Sequence, residues 1–304
     1  MFLPSYIKLH ETNDLRKRIE KAYEILKRCK ICPRQCEVNR LAGEKGVCRV
    51  GKLPMVSSYH PHFGEERTLV GRHGSGTIFL TFCNLLCVYC QNYEISHLGE
   101  GSEVSIDELA QMMLYLQKIG CHNINFVTPT HVVPQILAAL PHAIEGGLSV
   151  PLVYNSSGYE RVETLKLLDG VFDIYMPDFK YAHPVVAKKF SKAGDYPEVA
   201  KAALREMHRQ VGDLVLDEDG IAQRGLLVRH LVLPHGLAGT REIMRFLAQE
   251  ISTNTYVNVM DQYRPCGQAH KYPPLNRPII LKEFQDAVNE AFEAGLKRLD
   301  GITV

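Results

Sequence analysis

Three features are absent from the sequence, and each absence excludes a class of protein. No stretch of about 18 uncharged apolar residues occurs, which is the length that a membrane helix requires. Residues 1–18 contain no apolar core of a secretory signal. The 35 Lys and Arg residues are balanced by 34 Asp and Glu residues, so no overall electric field attracts the chain to nucleic acid or to an anionic membrane. We therefore expect a cytoplasmic protein without a membrane or nucleic-acid partner.

Cysteine, in contrast, is abundant and clustered. The 304-residue chain is 45% hydrophobic and 23% charged, as expected for a globular enzyme, and it has nine cysteines. Most of them form two groups, which are Cys29, Cys32, Cys36 and Cys48, and then Cys83, Cys87 and Cys90. Closely spaced thiols in a chain without a secretory signal favour metal or cluster binding over a disulfide framework. The cysteines are therefore the main guide to function.

Apolar runs alternate with helical patterns along most of the chain. Strands are predicted at 77–82, 124–128, 152–157, 173–179, 226–234 and 256–263, and helices at 105–119, 132–145, 160–168, 184–212, 240–251 and 281–294. Parallel strands need crossovers and helices then cover the sheet, so this alternation predicts an α/β fold, a partial (β/α)6 barrel. Before the barrel, the pattern predicts an amphipathic helix at 12–28 and an extended connector at 37–76.

The chemistry of a parallel α/β fold collects at the carboxyl ends of its strands. The predicted ends read Cys83, Thr128-Pro129-Thr130-His131, Asn155-Ser156-Ser157, Met176-Pro177-Asp178-Phe179-Lys180, Pro234-His235-Gly236 and Asp261-Gln262-Tyr263. Asp178 and Lys180 are two residues apart, so their side chains face the same side of a strand. We therefore expect polar groups to gather on one rim of the sheet.

The second cysteine group directly follows the first predicted strand with the spacing CxxxCxxC. Three thiolates in one short loop, from Cys83, Cys87 and Cys90, bind three corners of a [4Fe–4S] cluster and leave the fourth iron open to a small molecule. The alternatives are a zinc site or three unrelated core cysteines. Zinc usually takes four ligands, or three and a water, so the spacing favours the cluster.

The triplet, with Tyr89 just before its last cysteine, resembles the radical S-adenosylmethionine (SAM) superfamily. The segments 153–158, 173–180 and 229–236 are similar, in order and position, to motifs of the pyruvate formate-lyase activating enzymes, and especially of an activating-enzyme-related branch that also has a cysteine-rich N-terminal segment. The resemblance implies a radical SAM partial barrel at 77–304, preceded by a helix, a cysteine-rich metal-binding segment and a connector at 1–76.

The resemblance also implies an oxidoreductase activity. SAM would chelate the open iron, and an electron from a donor such as flavodoxin or ferredoxin would cleave it to a 5′-deoxyadenosyl radical. That radical would abstract hydrogen from a protein or peptide substrate, as in a glycyl-radical activase. Two alternatives stay open. One is a radical SAM oxidoreductase that modifies a peptide or small molecule, and the other is a zinc or iron–sulfur binding module without catalysis.

The cofactor-binding residues are expectations from the same resemblance. It implies that Tyr89 lies near the adenine, and that the methionine and ribose ends meet Asn155, Ser156, Met176, Asp178 and Lys180. Superfamily members usually carry a Gly-Gly-Glu segment after the second strand, which holds the SAM ammonium group. Here that place is taken by Thr128, Thr130 and His131, whose hydroxyls and imidazole are hydrogen-bond acceptors.

The N-terminal cysteines supply four thiolates, and the short spacing between Cys29 and Cys32 forms a chelating turn. Structural zinc and a second, electron-relaying iron–sulfur cluster both accept tetrahedral sulfur ligation, so the sequence leaves both open. Between this segment and the barrel, His60, His62 and Glu65 either line the substrate opening, where they would move protons, or belong to a solvated connector.

Overall fold

A computed structural model describes residues 2–302. Its strands are β1 (Met55–His62), β2 (Ser75–Leu80), β3 (Ser102–Glu103), β4 (Ile124–Val127), β5 (Leu152–Ser156), β6 (Ile174–Pro177), β7 (Val215–Leu216), β8 (Ala222–Leu231), β9 (Tyr256–Met260) and β10 (Arg298–Leu299). The long predicted strands correspond to β2, β4, β5, β6, β8 and β9. The central residues of β2, β4, β5, β6 and β8 are largely buried on both faces, as expected for a sheet that is covered by helices, whereas β9 alternates between buried and half-buried residues.

The helices are α1 (Ser5–Glu11), α2 (Asp14–Leu26), α3 (Arg67–Val70), α4 (Ile106–Lys118), α5 (Val133–Glu145), α6 (Val162–Leu167), α7 (Pro184–Ser191), α8 (Tyr196–Val211), α9 (Thr240–Phe246) and α10 (Leu281–Glu293). Sequence signals set several starts. Ser105 and Glu108 form a capping box at α4, and Pro184 and Pro197 occupy the first turns of α7 and α8. No helix within residues 2–302 is both long and apolar enough to cross a membrane.

The strands form an open sheet in the order β10-β9-β8-β6-β5-β4-β2-β1-β3. Neighbours from β2 through β4, β5, β6 and β8 to β9 are parallel, and β1 pairs antiparallel with β2. Among the described strands, β2 and β9 do not pair with each other. The chain is therefore the predicted partial barrel of six parallel strands, with a gap between its first and last strands.

The prediction of an extended connector at 37–76 is wrong for its second half. Residues 55–62 form β1, whose His60 lies opposite Thr77 of β2. The predicted boundary between residues 76 and 77 falls inside β2, so β1 continues the barrel sheet. The alternation signal is weak because β1 is mostly half-buried or exposed and contains Pro61, which suits a strand near the edge of a sheet.

The segment after β1 enters the barrel and closes its lower end. Leu69 of α3 is fully buried and packs in a cluster with Val153, Ile174, Met176 and Leu227 from three neighbouring strands. Side chains of alternate strand residues fill the interior in this way, so the lower half of the barrel is a packed core. The open space that remains lies at the carboxyl ends of the strands.

Candidate active site

A cavity of about 350 Å³ lies at the carboxyl ends of the parallel strands. It collects most of the residues that the sequence singled out, which are Cys83, Cys87, Tyr89, Cys90, Thr128, Asn155, Ser156, Asp178 and Lys180. Residues far apart in sequence meet here because parallel strands deliver their ends to the same edge of the sheet.

Each of the three loop cysteines has a hydrogen-bond donor at its sulfur. The backbone N–H of Leu85 donates to Cys83 Sγ at 3.3 Å. The hydroxyl of Ser191 donates to Cys87 Sγ at 3.1 Å, and that of Ser96 donates to Cys90 Sγ at 3.1 Å. Donors of this kind stabilise negative charge on sulfur and tune the potential of a bound cluster.

Burial opposes ionisation of these thiols when no cation is near. It raises the pKa of Cys83 to about 12, with a further rise from the neighbouring Cys87. It also raises the pKa of Cys90, although the hydroxyl of Ser96 lowers it again in part. Thiolates in this loop therefore need a strongly cationic partner, and iron supplies that charge while it displaces the protons.

A buried charge network forms the floor of the cavity. Asp178 accepts a hydrogen bond from Arg229 Nε at 2.8 Å and forms an ion pair with Lys180 Nζ at 2.5 Å. The same guanidinium donates to Asn155 Oδ1 at 2.5 Å and pairs with Glu65 at 3.2 Å. Two acidic and two basic groups thus balance each other beside the cysteine loop.

Asp178 and Lys180 keep their charges at neutral pH. Burial raises the pKa of Asp178, but Arg229 and Lys180 outweigh this effect and lower it overall. Burial lowers the pKa of Lys180, but Asp178 and Cys87 reverse the direction and raise it. The cavity therefore offers fixed positive and negative groups, as recognition of a zwitterionic amino-acid moiety requires.

Two aromatic side chains shape the rim beside the cysteine loop. Tyr89 is buried and meets Tyr181 and Tyr263 edge to face, with ring centroids 6.2 Å and 5.8 Å away. The hydroxyl of Tyr196 donates to the carbonyl of Ser157 at 2.8 Å and accepts the backbone N–H of Lys180 at 2.9 Å. Tyr196 thus fixes two neighbouring strand ends in one position.

The Thr128–His131 segment reaches the cavity only at its first residue. Thr128 lines the cavity and has φ +62°, a left-handed conformation that is strained for a β-branched residue. After this turn the chain enters a helical turn, which directs Thr130 and His131 into the protein interior. His131 contacts the carbonyl of Thr81 at 2.9 Å through Nε2, and burial lowers its pKa to about 4. His131 is therefore not among the residues that line the cavity.

Thr130 belongs instead to a buried cluster below the rim. It donates a short hydrogen bond to Glu160, whose other oxygen accepts from the hydroxyl of Tyr154 at 3.0 Å. Burial raises the pKa of Glu160 to about 8, although these hydrogen bonds act in the opposite direction. Met176, another predicted cofactor contact, faces the packed lower core. Neither Thr130 nor Met176 lines the cavity.

Three residues in or beside the cavity, Arg229, Ser96 and Ser191, were not assigned a role from the sequence. Arg229 lies within the predicted strand 226–234, and a charged residue inside a buried apolar strand is the signal that could have identified it. Ser191 and Ser96 carry no such signal, because their role depends on which sulfur they meet. Of the segment 59–66, His62 and Glu65 line the cavity, whereas His60 does not.

The N-terminal cysteines come together as a separate group. Cys29, Cys32 and Cys48 are buried, and Cys36 is half-buried. Burial raises the pKa of Cys32 to about 12, and the charges of the other three thiols add to the rise, so all three lie within electrostatic range of Cys32. Between residues 2 and 302, no three Cys, His, Asp or Glu side chains converge as ligands of a single ion.

The residues around the cavity fit an iron–sulfur cluster and SAM. A cubane does not need its thiolates to converge on one point, because each binds a different iron. The loop supplies three, each with a hydrogen-bond donor at sulfur. Ser157 Oγ lies at the cavity without a protein hydrogen-bond partner in the described part of the chain, so it is available to a ligand.

Comparisons with known proteins agree with this fit. Residues 77–217 match the radical SAM superfamily. Uncharacterized protein MJ0674 of Methanocaldococcus jannaschii is 35% identical over 283 residues, which are 90% of this chain and 77% of that protein.

Two solved structures were also compared. HydG, a maturase of the [FeFe]-hydrogenase, has a TM-score of 0.50 and 13% identity, over 73% of this chain and 50% of its own. The structure of anSMEcpe with bound AdoMet has a TM-score of 0.45 and 12% identity, over 70% and 55%. The chain thus spans about half the length of each of these structures. The family match, the fold and the three-thiol cavity agree, and residues 77–217 belong to the radical SAM superfamily, whose cofactors are a [4Fe–4S] cluster and SAM.

Proposed function

We propose that this chain is a glycyl-radical-activase-like oxidoreductase that abstracts hydrogen from a protein or peptide substrate. The proposed electron donor is a low-potential carrier of the flavodoxin or ferredoxin class. The observation that carries the proposal is the position of the cavity, which joins the three-thiol loop to a gap in the side of the barrel. A cavity that opens sideways admits a segment of a large molecule as well as a small one.

The gap lies between the first and last parallel strands. Phe79 of β2 and Met260 of β9 both line the cavity, although β2 and β9 are not paired within the described sheet. Large apolar side chains project beside the lining residues, since Phe63 is 63% exposed and Leu98 is 69% exposed. Exposed apolar residues at the edge of a polar cavity favour contact with a polypeptide over a small polar metabolite.

The residues of the cavity have separable roles. Cys83, Cys87 and Cys90 would hold the cluster. Lys180 and Arg229 are the cationic groups that would bind a carboxylate, while Asp178 keeps both of them in place through its two ion pairs. These side chains are charged before any ligand arrives, so they need little rearrangement to bind one.

The buried walls of the cavity keep water away from the reacting groups. Tyr89 and Leu80 line it and are almost fully buried, as are the strand ends at Asn155 and Ser156. The cluster and SAM, when bound, supply a 5′-deoxyadenosyl radical that abstracts a hydrogen atom. A radical of this kind attacks whatever C–H bond is nearest, so exclusion of solvent and orientation of the substrate decide the outcome.

Deuterium transfer tests the proposal. Cells that naturally make this protein are grown with glycine deuterated at its α-carbon, and their extract is separated into macromolecules and small molecules. Each fraction is incubated anaerobically with the reconstituted, reduced enzyme and SAM. We expect deuterium in 5′-deoxyadenosine from the macromolecular fraction, and its loss when that fraction is first digested with a protease.

The Cys87→Ala variant is the matched control and should give no 5′-deoxyadenosine with either fraction. Deuterium transfer from the small-molecule fraction alone would contradict a protein or peptide substrate and would favour a metabolite. Transfer from macromolecules labelled in another amino acid, but not in glycine, would contradict the activase-like chemistry while leaving a protein substrate in place.

A further inference from the structure

The N-terminal cysteines are built into a folded segment that has the features of a ligand site. The backbone N–H of Val47 donates to Cys36 Sγ at 3.4 Å. A sulfur in the barrel loop accepts a hydrogen bond in the same way, since Leu85 N donates to Cys83 Sγ at 3.3 Å. Cys36 therefore shares this property of the cluster loop, and the other three N-terminal cysteines are buried around it in the same segment.

Close packing holds the segment in this arrangement. The backbones of Cys29 and Glu37 are hydrogen-bonded at 3.0 Å, which brings the two ends of the first turn together. A Cβ on Gly46 would lie 2.8 Å from Cys36 Sγ, so only glycine lets the backbone pass this sulfur so closely. Four thiols in a segment with little regular structure need such a frame, and a bound metal would complete it.

Arg34, which lies between Cys32 and Cys36 in sequence, joins this segment to the barrel cysteine loop. Its guanidinium donates to the carbonyls of Asn84 at 2.8 Å and Leu85 at 3.1 Å, both of which lie inside the CxxxCxxC loop. It also donates to the carbonyl of Ser191 at 2.8 Å. One side chain thus ties the N-terminal segment to the strand end that carries Cys83.

The contact with Ser191 extends the link to a second ligand sulfur. The hydroxyl of Ser191 donates to Cys87 Sγ at 3.1 Å, so Arg34 fixes the backbone of the residue that stabilises this thiolate. Arg34 also lies over the ring of Tyr159 at 5.3 Å, and the carbonyl of Tyr159 accepts from Asn84 Nδ2 at 3.0 Å. A further hydrogen bond of Arg34 goes to the carbonyl of Lys192 at 2.6 Å, directly after Ser191. Most of the polar contacts of Arg34 therefore lead to the cluster loop or to Ser191, which supports Cys87.

We propose that Cys29, Cys32, Cys36 and Cys48 bind one metal centre, and that this centre holds Arg34 against the barrel loop so that the loop is ordered to receive its own cluster. The ligand chemistry is a set of four thiolates, which suits a single zinc ion or an iron–sulfur cluster. Arg34 is a positioning residue in either case. The inference rests on the cluster assignment and not on the proposed substrate.

Metal analysis of the full chain tests the first part. The protein is reconstituted anaerobically with iron and sulfide, with and without added zinc, and zinc, iron and sulfide are measured per chain. About eight irons would assign a second [4Fe–4S] cluster, and about four irons with one zinc would assign zinc. About four irons without any further metal would overturn the proposal. The Cys32→Ser variant should lose the additional metal. If this variant does not fold, the same measurement is made on Cys36→Ser, because Cys36 is only half-buried.

The Arg34→Lys variant tests the second part because it keeps the charge but loses the fork of donors. We expect it to retain the N-terminal metal and to load the barrel cluster about ten-fold more slowly, the usual scale for loss of a residue that orients a ligand. Loading is followed by visible absorption and by the electron paramagnetic resonance of the reduced cluster with and without SAM. Arg28→Lys is the matched control, since Arg28 is exposed and pairs with Glu37. Equal loading by both variants would overturn the coupling.

Discussion

The two cysteine groups differ in what surrounds them. Cys83, Cys87 and Cys90 all line a cavity of about 350 Å³ that also contains charged side chains. The N-terminal cysteines do not line it, and three of those four are buried. A set of three thiolates beside open space leaves room for a reactant at the metal, whereas four enclosed thiolates leave none.

This contrast shows that the surroundings of a thiol matter as much as its spacing. In the barrel loop, the ligands stand opposite Lys180, Asp178 and Arg229, which are fixed by the ends of parallel strands. In the N-terminal segment, Cys36 meets the backbone amide of Val47 and the backbone of Gly46. The first environment can bind and orient a substrate, and the second can stabilise a fold.

The largest expected effect comes from the removal of one thiolate from each group. Cys87→Ala should abolish the spin signal of the barrel cluster and the formation of 5′-deoxyadenosine, because a cluster with two protein ligands is not retained. Cys32→Ala should leave a detectable barrel cluster signal. The measurements are iron content, electron paramagnetic resonance and chromatography of 5′-deoxyadenosine. Loss of all iron from both Cys32→Ala and Cys87→Ala would contradict the contrast between the N-terminal cysteines and the barrel-loop cysteines.

The charge network gives the next largest effect. Asp178→Asn should lower the free energy of unfolding by about 3–5 kcal/mol, because it leaves Arg229 and Lys180 as buried cations without their shared carboxylate. Urea denaturation monitored by circular dichroism measures this loss. A matched change at the exposed Glu163, Glu163→Gln, should cost less than about 1 kcal/mol. Equal losses of unfolding free energy for the two variants would contradict a stabilising role of the charge network.

The buried carboxyl below the rim makes stability depend on pH. Burial raises the pKa of Glu160 from 4.5 to about 8, so the folded protein keeps a proton that the unfolded chain releases. Glu160 therefore stabilises the fold below about pH 4.5 and loses this contribution progressively as the pH rises to about 8. Glu160→Gln should remove the contribution of Glu160 to the dependence of the unfolding free energy on pH between pH 5 and 8, as measured by urea denaturation at several pH values. An unchanged dependence on pH would contradict the proposed role of Glu160.

The smallest expected effect concerns the hydroxyls at the sulfurs. Ser191→Ala removes the donor to Cys87 and should disfavour the reduced cluster by about 1 kcal/mol, which makes its reduction potential more negative. Redox titration followed by electron paramagnetic resonance measures the shift. Ser149→Ala, on the exposed surface, is the control and should leave the potential unchanged. A positive shift for Ser191→Ala would contradict a donor role.

The sequence predicted the barrel well because its strands are buried on both faces and its helices are amphipathic. Burial determines the spacing of apolar residues along a strand or helix, and this spacing is visible in the local sequence. It predicted the rim residues Cys83 and Asp178 because strand ends of a parallel sheet meet on one side. β1 was missed because it is largely polar, and α1 is only seven residues long.

The remaining differences arise from side-chain direction, which sequence position alone does not determine. Thr128 and Thr130 are two residues apart, yet only Thr128 lines the cavity because the chain turns at φ +62° before it becomes helical. Arg34 could not have been found from spacing. Its partners Asn84 and Ser191 lie 50 and 157 residues away, and only the packing of the folded chain brings them together.

The sealed lower end of the barrel has a kinetic consequence. Leu69 and its neighbours fill that end, so the cavity is reached from the strand ends and the adjoining gap. The proposed polypeptide substrate, seated at these openings, would block the route to the three-thiol loop. SAM would then have to bind before such a substrate, and the fragments of SAM would have to leave after the substrate, which is a compulsory-order scheme. High concentrations of such a substrate should then slow turnover, because substrate that binds first prevents SAM from entering the cavity.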